Sequence, residues 1–127
     1  MTSPQALVAE FHEKFGVPNR LGEGPGVRED RLGLRSSLID EEWGELDAEF
    51  EAHHDNDGDI SRIAKEAADL VYVIYGMALE FGIDLDAVIA EVHRSNMTKT
   101  SENKRADGKI SKGPDYVEAD IASVLFP

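Results

Sequence analysis

Leu38-Ile39-Asp40-Glu41-Glu42-Trp43-Gly44-Glu45-Leu46 and, after nineteen intervening residues, Glu66-Ala67-Ala68-Asp69-Leu70 decide how this chain reads. Residues three apart on an α-helix lie about 60° apart around its axis, so Glu42 and Glu45 share one face, and Glu66 and Asp69 another. Leu38 falls on the side of the first pair. Ile63, Leu70, Val73 and Met77 fall on the side of the second. Acids on the apolar stripe of a helix point inward, where an uncompensated carboxylate is costly. Four such acids on consecutive helices call for a hard divalent cation, and oxygen-only ligands suit magnesium, with manganese as a substitute. The bland reading of either pair alone is a solvated acidic face. Two matching pairs favour a metal site.

The surrounding sequence has the period of helices. Ser3-Pro4 opens the first, with Leu7, Val8, Phe11 and Phe15 as its stripe, and Gly16 and Pro18 close it. His12, beside that stripe, reads as a core or rim residue, or else as a contact to a ligand held against Phe11 or Phe15. Residues 16–30 form a glycine- and proline-rich connector able to double as a lid, without the Lys-Ser/Thr of a phosphate loop. A second helix is expected from about Arg31 to Ala52, a third from about Ile60 to Phe81, and a fourth from the Asp84 cap to about Asn96. A short C-terminal helix around Ile121 and Leu125 follows. The expected fold is all-α: a four-helix core with a short C-terminal helix, in one domain spanning residues 1–127. Val71, Tyr72, Tyr75 and Ala78 fall on the far side of the third helix and point to a second copy of the chain as cover. Trp43 is assigned to a core or an interface.

Composition narrows the function. With 127 residues, 41% hydrophobic and 31% charged, the chain has the make-up of a globular domain. It has no apolar run of bilayer length, no signal-peptide pattern at its start and no cysteine, so a cytoplasmic protein without disulfides or thiolate chemistry is expected. A net charge of −13 argues against nucleic-acid binding. Six of the 13 Lys and Arg lie between Arg94 and Lys112, a local basic segment that suits a polyphosphate. Asp55-Asn56-Asp57-Gly58-Asp59 reads as a turn; a calcium loop would need its glutamate at Glu66, inside the third helix. Glu51-x-x-His54 has no second copy, which removes di-iron chemistry. Metal-assisted displacement at phosphorus remains.

These residues also form a known pattern. Glu41-Glu42-x-x-Glu45 followed by Glu66-x-x-Asp69 resembles the signature of the MazG-like all-α nucleoside triphosphate pyrophosphohydrolases, a superfamily that includes the dimeric dUTPases. Asn96-Met97-Thr98-Lys99 is similar to its Asn-x-x-Lys element, and Asp107-Gly108-Lys109 with Lys112-Gly113-Pro114-Asp115-Tyr116 to the ending of one MazG-like group. The likeness covers roughly residues 31–125. It implies magnesium-dependent hydrolysis of a nucleoside triphosphate to monophosphate and pyrophosphate, in a homodimer or tetramer. Glu42, Glu45, Glu66 and Asp69 would hold the metal. Glu41 would orient or deprotonate water, with Glu42 and Glu45 as alternatives. Asn96 and Lys99, with Arg105 and Lys109, would bind substrate. The alternative is a weakly catalytic metal- or nucleotide-binding module with a regulatory role.

Overall fold

A computed structural model describes residues 2–53, 59–101 and 107–127. His54, the Asp55–Gly58 part of the expected turn, and Arg105 lie outside them. The all-α expectation holds among the described residues: four longer helices and a short fifth, with an isolated bridge between Thr100 and Ser111. The chain falls into two compact units, Met1–Ile83 and Asp84–Pro127.

In the first unit α1 spans Pro4–Phe15. The Ser3 hydroxyl accepts from the Ala6 N–H, and Gly16 ends the helix at φ 68. Helix α2 spans Glu29–Ala52 and starts two residues earlier than the sequence suggests. No side chain caps it. Instead Glu29 and Asp30 occupy the first turn, where their charge favours the helix dipole. The Arg28 guanidinium meanwhile bonds back to the Gly24 and Gly26 carbonyls. Helix α3, Ile60–Glu80, is capped by Asp59 and packs against both α1 and α2. Its partners show that α2 and α3 run antiparallel, since Arg31 meets Glu80 at one end and Glu49 meets Arg62 at the other.

The connector is strapped down rather than loose. The Arg20 N–H bonds to Leu79 O at 2.8 Å, and the Gly26 N–H to Phe81 O at 2.9 Å. Gly82 makes this approach possible: it sits at φ 69, and a Cβ there would lie 2.7 Å from Gly24 O. The core of the unit is Val8, Leu46, Tyr75, Ala78, Leu79 and Phe81. Tyr75 and Ala78, expected to face a second copy, are thus covered within the chain, because the C-terminal turns of α3 are wrapped by the connector. Val71 and Tyr72 stay exposed. Trp43 is 48% exposed, so it is no core residue of this chain.

In the second unit α4 spans Leu85–Asn96 and packs on α5, Ile121–Leu125. Glu91 joins them. It takes two bonds from Arg94 (2.6 and 2.9 Å) and one from the Asp120 N–H (2.8 Å). The Arg94 bonds, then the Asp120 N–H, pull its carboxyl down to about 2 against the opposing effect of burial. A carboxyl lowered on folding stabilises above its unfolded value and loses that contribution as pH falls towards 2. Wild type is therefore expected to melt higher than Glu91→Gln by a constant margin above pH 5. That margin should shrink steadily between pH 4.5 and 2.

Candidate active site

Helices α2 and α3 bring the two acid pairs together. One carboxylate oxygen from each of Glu42, Glu45, Glu66 and Asp69 lies within 4.8 Å of the others. The pairing follows from the antiparallel register: each pair spans one turn of its helix, on the side turned to the other helix. Burial, a hydrogen bond shared with Glu45, and the charges of Glu45 and Asp69 hold the Glu66 carboxyl above the usual range, with Lys65 pulling the other way. Lys65 sits on the cluster, its Nζ 2.6 Å from Asp69 Oδ2 and 3.6 Å from Glu66 Oε1. Two oxygens, Glu42 Oε2 and Glu66 Oε2, are buried with no protein partner.

The donor set fits a hard cation. Oxygens on opposite sides of a magnesium ion stand about 4.2 Å apart, twice a bond of about 2.1 Å, so the cluster needs only a small contraction. The orphaned oxygens supply the ligands, and the repulsion that a cation would relieve is visible in the raised Glu66.

The other candidates are placed as follows. Glu41 is exposed, next to the cluster on α2. Glu49, on the same side, is committed to Arg62 through two bonds of 3.0 and 3.2 Å. Asn96 ends α4, and the Lys99 N–H bonds to its carbonyl at 3.1 Å, so a tight turn carries both. Lys109 is exposed, its N–H held by Asp107. These three belong to the second unit, whereas the acid cluster belongs to the first.

Two to three turns from the acids, on the same two helices, lies a feature that sequence reasoning missed. Glu80 is fully buried and takes bonds from Arg31 and Arg35. Arg35 is 6% exposed, and its Nη2 also donates to Val73 O at 2.8 Å. Gly76 makes room for it, since a Cβ there would stand 2.0 Å from Arg35 Nη2. His12 completes the group. It is 2% exposed, with Nδ1 2.9 Å from Pro18 O, so it is the satisfied core histidine the sequence suggested. A cavity of about 290 Å³ opens beside these residues, lined by Phe11, His12, Arg35, Leu38, Tyr72 and Val73 among others.

Burial, then the nearby Arg35 charge, lowers the His12 pKa from 6.5, although the Pro18 carbonyl works against the shift. Below about pH 6.5 the folded state therefore binds fewer protons than the unfolded chain, and stability rises with pH through that window. Melting temperatures of wild type and His12→Gln should converge as pH falls from 7 to 5.

A family model for phosphoribosyl-ATP pyrophosphohydrolase matches residues 8–96. The chain belongs to that family. The phosphoribosyl-ATP pyrophosphohydrolases lie within the MazG-like all-α superfamily, so the helical fold and the family agree. Members typically depend on a divalent metal, which the α2–α3 cluster suits. An uncharacterized protein of Acanthamoeba polyphaga mimivirus, L479, is 33% identical over an alignment covering 76% of this chain. The chain spans 38% of the length of that protein. Among the described residues no helix is long and apolar enough to cross a membrane.

Proposed function

We propose that this protein hydrolyses a nucleoside or deoxynucleoside triphosphate to the monophosphate and pyrophosphate, using magnesium, with manganese as a substitute. The observation that carries the reading is the convergence of Glu42, Glu45, Glu66 and Asp69 within 4.8 Å, with two buried oxygens unpaired. The cation, when bound, supplies positive charge to the phosphate chain and the leaving pyrophosphate. The four carboxylates hold it. Glu41, exposed beside them, orients water and takes its proton as the water oxygen attacks the α-phosphorus and pyrophosphate departs. Asn96 and Lys99 are assigned to the substrate on the Asn-x-x-Lys element they carry, and Arg105 and Lys109 on their positive charge. We assign it a nucleotide-pool role in the cytoplasm, with dUTP among the candidate substrates.

An assay of every common NTP and dNTP, together with phosphoribosyl-ATP, with and without magnesium, tests the reading. Monophosphate and pyrophosphate appearing only with metal are expected after anion exchange. Diphosphate and phosphate, or no product from any substrate, would refute it.

We also assign a homodimer, with a tetramer as the alternative. Leu7, Phe11, Phe15, Val71 and Tyr72 leave an exposed apolar face across α1 and α3, indented by a cavity of about 480 Å³. Light scattering after gel filtration should give twice the mass of the chain, and Tyr72→Glu should shift it to the monomer.

A further inference from the structure

We propose that Lys65 stands in for a second metal ion at the acid cluster, so that the site takes one divalent cation and one tethered ammonium. The inference rests on the metal reading above and adds to it how many ions the cluster holds and what supplies the remaining positive charge.

Lys65 lies four residues before Asp69 on α3, so the two share one side of the helix. Its Nζ stands 2.6 Å from Asp69 Oδ2 and 3.6 Å from Glu66 Oε1. An ion pair of this kind often serves only the helix, but this one does little for it. Lysine ahead of its acid is the weaker order for helix stability. The lysine side chain is also 67% exposed, so solvent screens the pair. Arg62 shows the contrast. It precedes Glu66 by one turn, yet its guanidinium is held by Glu49 rather than by the cluster.

The contact falls on the outer part of the site. Asp69 is the more open acid of α3, with its side chain 37% exposed against 17% for Glu66. Glu66 divides its oxygens. Oε1 meets the ammonium, whereas Oε2, like Glu42 Oε2, is buried without a protein partner. One oxygen of this carboxylate thus remains for a divalent cation while the other is already served. A second divalent ion, about 3.5–4 Å from the first, would need the same few oxygens, since the four acids offer ligand atoms that all lie within 4.8 Å of one another. The lysine holds two of those acids without leaving the chain. An ammonium has three donors, so its bond to Asp69 leaves capacity for a phosphate oxygen arriving at the cluster.

Manganese counts the ions without any turnover. The metal-free full chain, titrated with Mn²⁺ in the absence of nucleotide and followed by electron paramagnetic resonance, is expected to show the spectrum of an isolated bound ion, about one per chain. Lys65→Met should raise the count to about two and give the spin-coupled spectrum of a close pair. Lys65→Arg, which restores the charge, should return the isolated-ion spectrum. An ion held loosely by a surface acid adds to the count but not to the coupling. Should Lys65→Met fail to fold, Lys65→Gln takes its place with the same expectation. A coupled pair in wild type, or only an isolated ion once the charge is removed, overturns this inference and leaves the metal site standing. No bound manganese in any of these proteins overturns both. A coupled pair confined to the uncharged variant, without hydrolysis of any triphosphate, supports the inference and removes only the proposed reaction.

Discussion

Glu80→Ala is expected to cost about 3–5 kcal/mol of stability, the usual penalty for breaking a buried ion pair by removing one partner. The size follows from what is left behind. Arg35, 6% exposed, would keep its charge with the carboxylate gone, and Arg31 would lose the same partner. Urea unfolding followed by circular dichroism measures the loss. Arg62 also makes two bonds to a carboxylate, Glu49, but its side chain is 54% exposed. Arg62→Ala should leave the unfolding midpoint nearly unchanged, because solvent screens the lost pair. Similar geometry thus yields opposite outcomes, decided by burial. If Glu80→Ala and Arg62→Ala proved equally mild, the buried triad would not hold α2 against α3.

Asp69→Ala is expected to lower metal-dependent turnover by at least about a hundredfold, the scale of several kcal/mol of lost charge stabilisation. Stability without metal should not fall and should even rise. The reason is the state of the cluster: its acids repel one another, Glu66 is held above its usual range, and the Lys65 contact offsets only part of that repulsion. Glu45→Ala should behave alike. Comparing rates with melting curves in the presence and absence of magnesium separates this from a folding defect. Wild type should gain thermal stability from the cation, and the variant should gain much less. A variant with full activity would remove Asp69 from the site.

The acid cluster was legible in the sequence because a helix turns spacing into direction. Glu42 with Glu45, and Glu66 with Asp69, are local patterns, and the apolar residues beside them say which way they point. Helix ends were legible where a residue acts through its own chemistry: Ser3, Pro4, Gly16 and Asp84 all mark boundaries as expected. The start of α2 was harder, since Glu29 and Asp30 favour it only through the helix dipole. Glu80 was not legible at all. In sequence it looks like one more surface acid near a helix end, and its partners lie 45 and 49 residues away. Only the antiparallel pairing of α2 with α3 makes Arg31, Arg35 and Glu80 neighbours. The same fact explains Gly76, whose value lies in the space it leaves for Arg35. It also explains Tyr75 and Ala78, which the connector covers by a path that helical periodicity does not describe.

Cleavage at the α-phosphorus is tested most directly by following the oxygen of water. Hydrolysis of the best substrate in the panel, run with magnesium in ¹⁸O-water and read by mass spectrometry, reports which phosphorus was attacked. Label confined to the nucleoside monophosphate, with unlabelled pyrophosphate, is the expected result. Label in pyrophosphate or in orthophosphate would place the attack at the β- or γ-phosphorus and contradict the role given to Glu41, Glu42, Glu45, Glu66 and Asp69.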